Sequence, residues 1–430
     1  MLFNSVEFVL LFLPLSLFFY YFTQKYTKHS NLLLCLVSAI FYVLASFENS
    51  YFLLLSILIN FLLTLRHTKV FFYVNLIFNL GSLFYFKTVT SSFPLGISFF
   101  TFQQIAFSYN IYKRQLTKQN LLDYFTFVGF FPQLIAGPIV EGGEIFPQLK
   151  GKRILDANNI AKGLFMFSIG LCKKNILSYY LYDLASDRYS IISTSSLFDS
   201  WSYLLAFALY MYFDFSAYSD MAIGIAKMFG IDLPQNFKSP FQSTNIAEFW
   251  RRWHITLGRW IKNYLYIPLG GSRVHFIRNY FNLLFVFLAV GVWHGVSANF
   301  VLFGLTHGFG VIIYKLWKKL DLFSLPVILS WFITFFLCVF ARVFYSLNSI
   351  EKSLEYLKSL INFSNLSFGL SLFSIIILII SFLVTMLPIN SDLMYRNFKQ
   401  NKFNQIIIII FLVIGILYGQ KPLTFEYFRF

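Results

Sequence analysis

The sequence predicts an all-α, polytopic integral membrane protein with about twelve transmembrane helices and two re-entrant segments. Three observations carry that reading. Of 430 residues, 58% are hydrophobic and 12% are charged, roughly half the charged fraction of a soluble domain. Aromatic residues make up 21%, with 58 Phe, and the few polar side chains that remain could not cover a globular surface. The apolar segments are long and unbroken rather than short and alternating, which selects helices over a membrane barrel. The formal net charge of +16 then reads as a topology signal and not as affinity for nucleic acid, because the 34 Lys and Arg fall mostly in short clusters between apolar runs.

A spanning helix needs about 20 mostly apolar residues. Candidates lie near 5–22, 31–47, 50–65, 70–86, 97–112, 160–180 and 200–230, then near 277–296, 298–315, 325–345, 368–388 and 403–419. The first has no positive n-region and is followed by further spans, unlike a cleaved signal peptide. Lys25 and Lys28, Arg66 and Lys69, and Lys113, Arg114 and Lys118 recur after every second helix, as cytoplasmic loops would. The alternation continues through Lys150, Lys152 and Arg153, Arg251 to Lys262, Lys315 to Lys319, and Arg396 to Lys402, and places both termini outside. It requires 121–149 and 240–272 to enter and leave on the cytoplasmic side. Both are interrupted by Pro and Gly, and broken backbone at membrane depth is tolerated only inside protein or along a cavity, so a site is expected there.

Ionisable groups at membrane depth are costly, which makes each a functional candidate. Of the six His, His29, His67 and His275 lie in basic loops, whereas His254, His294 and His307 lie in or beside apolar segments. His294 sits in GVWHG, where Gly291 and Gly295 allow close approach of another backbone or a ligand. A neutral imidazole there could take a hydroxyl proton as general base; a plain interhelical hydrogen bond is an equal reading. His254 lies in FWRRWHITLGRWIKNYLYIPLGG. At helical spacing Trp250, Trp253, Leu257 and Trp260 form one aromatic side, with Arg251, Arg252, Arg259 and Lys262 over much of the rest. Interfacial anchoring accounts for such a helix. The functional alternative is that Arg251, Arg252 and Arg259 receive the anionic groups of a cytosolic donor, phosphates above all.

Asp214 and Asp220 lie in an aromatic helical run and need partners, either as orienters of an imidazole or in structural ion pairs. His307, in GLTHG, reads as a hydrogen-bonded residue of a small-residue helix interface. The segment FPQLIAGPIVEGGEIFPQL brings Glu141 and Glu144 to a broken loop. The terminal FEYFRF is an interfacial aromatic belt or a carrier: the phenol of Tyr427, with a pKa of about 10, is a better leaving group than an alkyl alcohol. Cys35, Cys172 and Cys338 are far apart, and no zinc spacing, phosphate loop, dinucleotide fingerprint or nucleophile elbow appears, so no bound metal or cofactor is expected.

Together FPLGISFFTFQ, FPQLIAGPIV, DFSAYSDMAIG, LPQNFKSPF, FWRRWHITLGRWIKNYLYIPLGG, VGVWHG and FEYFRF resemble the membrane-bound O-acyltransferase family. Within it they are similar to the bacterial branch of alginate and peptidoglycan O-acetyltransferase membrane subunits, with the D-alanyl transfer protein of teichoic acid synthesis as a cousin. The likeness runs in order and spacing from about residue 90 to the end. It implies N-terminal helices over 1–90, a catalytic core over 91–420 and an extracytoplasmic tail over 421–430. His294 matches the family's catalytic His and His254 its second motif His, along a tunnel through a helical ring, and Tyr427 looks like an acyl relay to an extracytoplasmic partner. Asn110 and Glu141 depart from the family pattern and take no catalytic role.

The implied activity is acetyl transfer from a cytosolic donor, acetyl-CoA, across the inner membrane to an envelope glycan, through a periplasmic glycan O-acetyltransferase. Peptidoglycan is favoured, because abundant Phe, Ile, Asn and Lys fit an AT-rich genome, unlike that of alginate producers. The alternatives are acetylation of alginate or another exopolysaccharide, D-alanyl transfer to teichoic acid and, from another class, a transporter or flippase, against which the absence of inverted repeats counts. Membrane lipids complete the expected partners; nucleic acid is not among them.

Overall fold

The computed structural model describes residues 1–24, 30–90, 93–151, 153–186, 196–347 and 349–419. Among these residues the chain forms helices and no strands, and a helix occupies each of the twelve predicted segments. Four helices among the described residues are long and apolar enough to cross a membrane: Lys69–Thr88, Phe276–His294, Ala298–Lys319 and Val327–Ser346. Phe8–Gln24, Ser30–Ala45, Ser50–Thr64, Leu372–Met386 and Lys402–Tyr418 are shorter apolar helices. Large apolar side chains such as Ile77, Phe281, Ile328 and Phe403 are exposed on them, as on helices that satisfy their own backbone and turn side chains to lipid.

The chain divides into two compact units. One comprises Met1–Asn175, Phe215–Gln235 and residues 393–419. Its interior is aromatic, with the Phe131 ring 5.2 Å from Phe41 and 5.7 Å from Phe229. Buried polar groups pair with one another: Asn60 Oδ1 accepts from Asn75 Nδ2 and Asn79 Nδ2 at 2.6 Å each, and Gln104 Nε2 donates to Ser56 Oγ at 3.0 Å. Such bonds hold helices together where lipid gives no hydrophobic drive. The broken stretch 121–149 belongs to this unit as Leu121–Gly129, Phe131–Leu134 and Gly142–Lys150. The last opens on a capping box, in which the Glu144 carboxylate accepts from the Glu141 N–H at 2.9 Å. The two acids of this loop cap a helix.

The other unit comprises Ile176–Asp214 and Asn236–Asp392. Phe276–His294 and Ala298–Lys319 form its central hairpin. They approach closely because Gly291 lies against the Phe300 carbonyl and Gly304 against the Phe287 carbonyl, where a Cβ would strike backbone. Val327–Ser346 and Ile246–Arg252 pack on Ala298–Lys319. Asn299 Nδ2, in the first turn of that helix, donates to the Leu347 carbonyl at 2.6 Å and so ties down the end of Val327–Ser346.

The stretch 240–272 is likewise broken, into Pro240–Gln242, Ile246–Arg252, Ile255–Ile261 and the π turn Lys262–Tyr266, and reaches the left-handed Gly270 and Gly271. The single amphipathic helix expected over Trp250 to Trp260 is therefore two short ones, with His254 at the break.

Candidate active site

His254 stands between the two short helices at φ +45° and ψ 54°. Left-handed backbone is strained for a residue with a Cβ, and such strain persists only where the surroundings enforce it. Asn236, fully buried, does so. Its carbonyl accepts from the Ile255 N–H at 2.9 Å. Its Oδ1 accepts from the Thr256 N–H at 3.3 Å and from Thr256 Oγ1 at 3.0 Å, and lies 3.1 Å from His254 Nδ1. Because a backbone N–H can only donate, the shared atom is the amide oxygen; His254 Nδ1 then donates to it, and Nε2 is the basic nitrogen.

His294 ends its helix and is 6% exposed. Its ring lies 4.5 Å from Trp293, 5.0 Å from Tyr345 and 5.7 Å from Phe303, and the Tyr345 hydroxyl is 3.4 Å from Nδ1. The two motif histidines meet through Trp293, whose ring is also 6.5 Å from that of His254. Close packing by aromatic rings gives the pair a low-dielectric setting, in which hydrogen bonds and charges act strongly.

Two residues of this cluster escaped the sequence reading. Arg342 is the one charge in the run from Val327 to Ser346 and is 3% exposed. Its guanidinium lies 4.7 Å from the Trp253 ring centroid, 5.5 Å from Tyr345 and 5.7 Å from Phe303, in cation–π range. The rule that singles out intramembrane ionisable groups finds it in the sequence. Nothing in the sequence marks Tyr345, which shares a helix face with Arg342 three residues earlier.

His307 corrects an expectation. It is 1% exposed and surrounded by rings, with Phe303 at 4.8 Å, Trp250 at 5.0 Å and Phe249 stacked at 6.2 Å. Neither ring nitrogen has a hydrogen-bond partner. The interface it faces is aromatic and offers no acceptor, so the helix–helix hydrogen bond expected of it does not form.

The basic residues separate. Arg251, Arg259 and Lys262 line a cavity of about 460 Å³ together with Trp250, Phe287 and Val311. Arg252 is held elsewhere, with Nη2 2.7 Å from Glu248 Oε1 one turn back and Nη1 donating to the Lys238 carbonyl at 3.4 Å. Lys173 Nζ lies 2.6 Å from Asp220 Oδ2, and Asp214 Oδ1 accepts from Ser178 Oγ at 3.0 Å. Tyr427 lies outside the described residues. Among the described residues no group of three His, Cys, Asp or Glu gathers as a metal site would need.

Residues 15–357 match the family model described as MBOAT, membrane-bound O-acyltransferase family. The chain is 37% identical over 426 residues to a protein of Helicobacter pylori named "Peptidoglycan O-acetyltransferase", covering 85% of this chain and 81% of that protein. It is 32% identical over 400 residues to "Probable alginate O-acetylase AlgI" of Pseudomonas aeruginosa, covering 84% and 75%. Similarity to the "Teichoic acid D-alanyltransferase" of Bacillus subtilis is 29% identity over 241 residues, covering 52% and 60%.

Proposed function

The chain belongs to the membrane-bound O-acyltransferase family and is a multi-pass membrane O-acyltransferase, and from that premise we propose that it moves an acetyl group from acetyl-CoA across the inner membrane for O-acetylation of peptidoglycan. The observation that carries the mechanism is the pair of buried histidines on either side of Trp293, in the same unit as a cavity lined by Arg251, Arg259 and Lys262. Peptidoglycan is favoured by the Helicobacter pylori relative, which matches over more of its length than the D-alanyltransferase does.

In this reading the cationic side chains receive the donor's phosphates from the cytosol. His294 takes the proton of the acceptor hydroxyl as its oxygen attacks the thioester carbonyl carbon, and the proton passes to the departing thiolate. His254, with Nε2 kept basic by Asn236, is the second proton-handling group. Asp214 and Asp220 stay in a supporting role, as partners of Ser178 and Lys173. The acceptor is the phenol of Tyr427 on an outward-facing C-terminus, from which a periplasmic O-acetyltransferase collects the acetyl group for the glycan.

The test is a strain whose only copy carries His294→Ala. Ester-linked acetate on its peptidoglycan should fall to the level of a deletion, with the protein still in the membrane; full acetylation would sink the assignment. Full acetylation by Tyr427→Phe would remove the relay and leave direct transfer to the glycan. Purified protein given acetyl-CoA or a D-alanyl carrier-protein thioester separates acetyl from D-alanyl transfer. The transporter reading is set aside, because the family is one of acyltransferases.

A further inference from the structure

Three buried nitrogen atoms on two touching rings have no hydrogen-bond partner. Trp250 lines the cavity, and its Nε1 is buried and unbonded. His307 lies edge-on to Trp250, with rings 5.0 Å apart at 82°, and both of its nitrogens are unbonded. Val311, one turn further along the His307 helix face, also lines the cavity. An unmet buried polar group destabilises the fold, and an apolar side chain of similar shape would avoid that cost. The neighbours Phe249 and Phe303 are apolar rings, so a phenyl side chain at this position would face no polar group from them. Unmet groups of this kind point to a missing partner.

The chemistry of that partner follows from what the two rings offer. An indole only donates, and a neutral imidazole carries one N–H. Two donors on adjoining rings, one of them in the cavity wall, suit an oxygen acceptor without protons of its own, which is a carbonyl. His307 and His294 also share a neighbour, since the Phe303 ring is 4.8 Å from one and 5.7 Å from the other.

Resting on the reading of this cavity as the donor site, we propose that Trp250 Nε1 and His307 form the oxyanion hole, binding the carbonyl oxygen of the donor thioester. The acceptor oxygen bonds to the carbonyl carbon while its proton goes to His294. The C=O electron pair moves onto the oxygen held by Trp250 and His307 and returns as the C–S bond breaks; the proton then passes to the thiolate. Donors aimed at the oxygen where charge develops stabilise the transition state more than the bound substrate.

The experiment uses the full-length protein in two settings: a strain lacking the wild-type gene, scored for alkali-releasable envelope acetate, and purified protein in detergent with acetyl-CoA. His307→Phe removes two unmet nitrogens and should unfold at the same or a higher temperature, while acetate transfer falls about 100-fold. Trp250→Phe should lose about 10- to 100-fold, with the loss in kcat and KM within about two-fold. His307→Asn, which keeps a side-chain N–H, should recover part of the rate. A stable His307→Phe protein with wild-type acetate transfer overturns the proposal, as does wild-type transfer by Trp250→Phe should His307→Phe fail to fold. His294→Ala, run alongside, separates the two readings: its retained activity would defeat the proposed function, whereas its silence beside an active His307→Phe defeats the oxyanion hole alone.

Discussion

The hydroxyl of Tyr345 stands 3.4 Å from His294 Nδ1, with the two rings 5.0 Å apart at 72°. A polar partner on one imidazole nitrogen orients the ring and sets which nitrogen faces the substrate. Tyr345→Phe keeps the ring packing and removes only the hydroxyl. Acetyl transfer should fall about ten-fold, equivalent to about 1.4 kcal/mol in the barrier, with folding stability changed by about 1 kcal/mol or less. Steady-state rates and thermal unfolding in detergent measure both; an unchanged rate would show that the contact is packing alone.

Asn236 should matter as much as the histidine it holds. Asn236→Ala leaves the Thr256 N–H, the Thr256 hydroxyl and His254 Nδ1 without their shared acceptor, and of its bonds to the left-handed turn only that from its backbone carbonyl to the Ile255 N–H remains. The expected cost is about 1–3 kcal/mol in stability and a loss of activity equal to that of His254→Ala. Asn236→Asp retains the acceptor oxygen and should outperform Asn236→Ala in the same acetate assay.

The arginines predict a split in kinetics. Arg251→Ala and Arg259→Ala, which alter the cavity wall, should each raise the KM for acetyl-CoA about ten-fold at nearly constant kcat, as expected when a charge-assisted contact to the donor is removed. Arg252→Ala breaks the surface pair with Glu248 and should leave KM unchanged, with about 0.5 kcal/mol lost in stability. Equal effects from all three would mean that the donor docks elsewhere.

Gly291→Ala tests the helix crossing behind His294. Its Cβ would meet the Phe300 carbonyl, and backbone cannot yield as a flexible side chain would, so about 1–3 kcal/mol of destabilisation is expected. Gly81→Ala, with nothing near its Cβ position, should leave the unfolding temperature unchanged or slightly raised. Equal unfolding temperatures for the two variants would contradict the close crossing.

The sequence by itself determined the class of the protein and the place of its helices. A chain that meets lipid must be apolar and must satisfy its backbone within a few residues, and both demands are local; every predicted span is accordingly a helix. His254 and His294 stand out as candidates in the sequence because ionisable groups are rare in such runs and because their motifs are distinctive. Only the tertiary structure decided how the basic helix breaks, since that depends on Asn236, a residue 18 positions before His254, and that Arg251 and Arg259 line the cavity while Arg252 pairs with Glu248. It also decided that His307 faces rings rather than an acceptor, and that Tyr345 reaches His294 from another helix. Helical periodicity reports on neighbours three and four residues away, whereas a buried polar atom finds its partner, or finds none, across the fold.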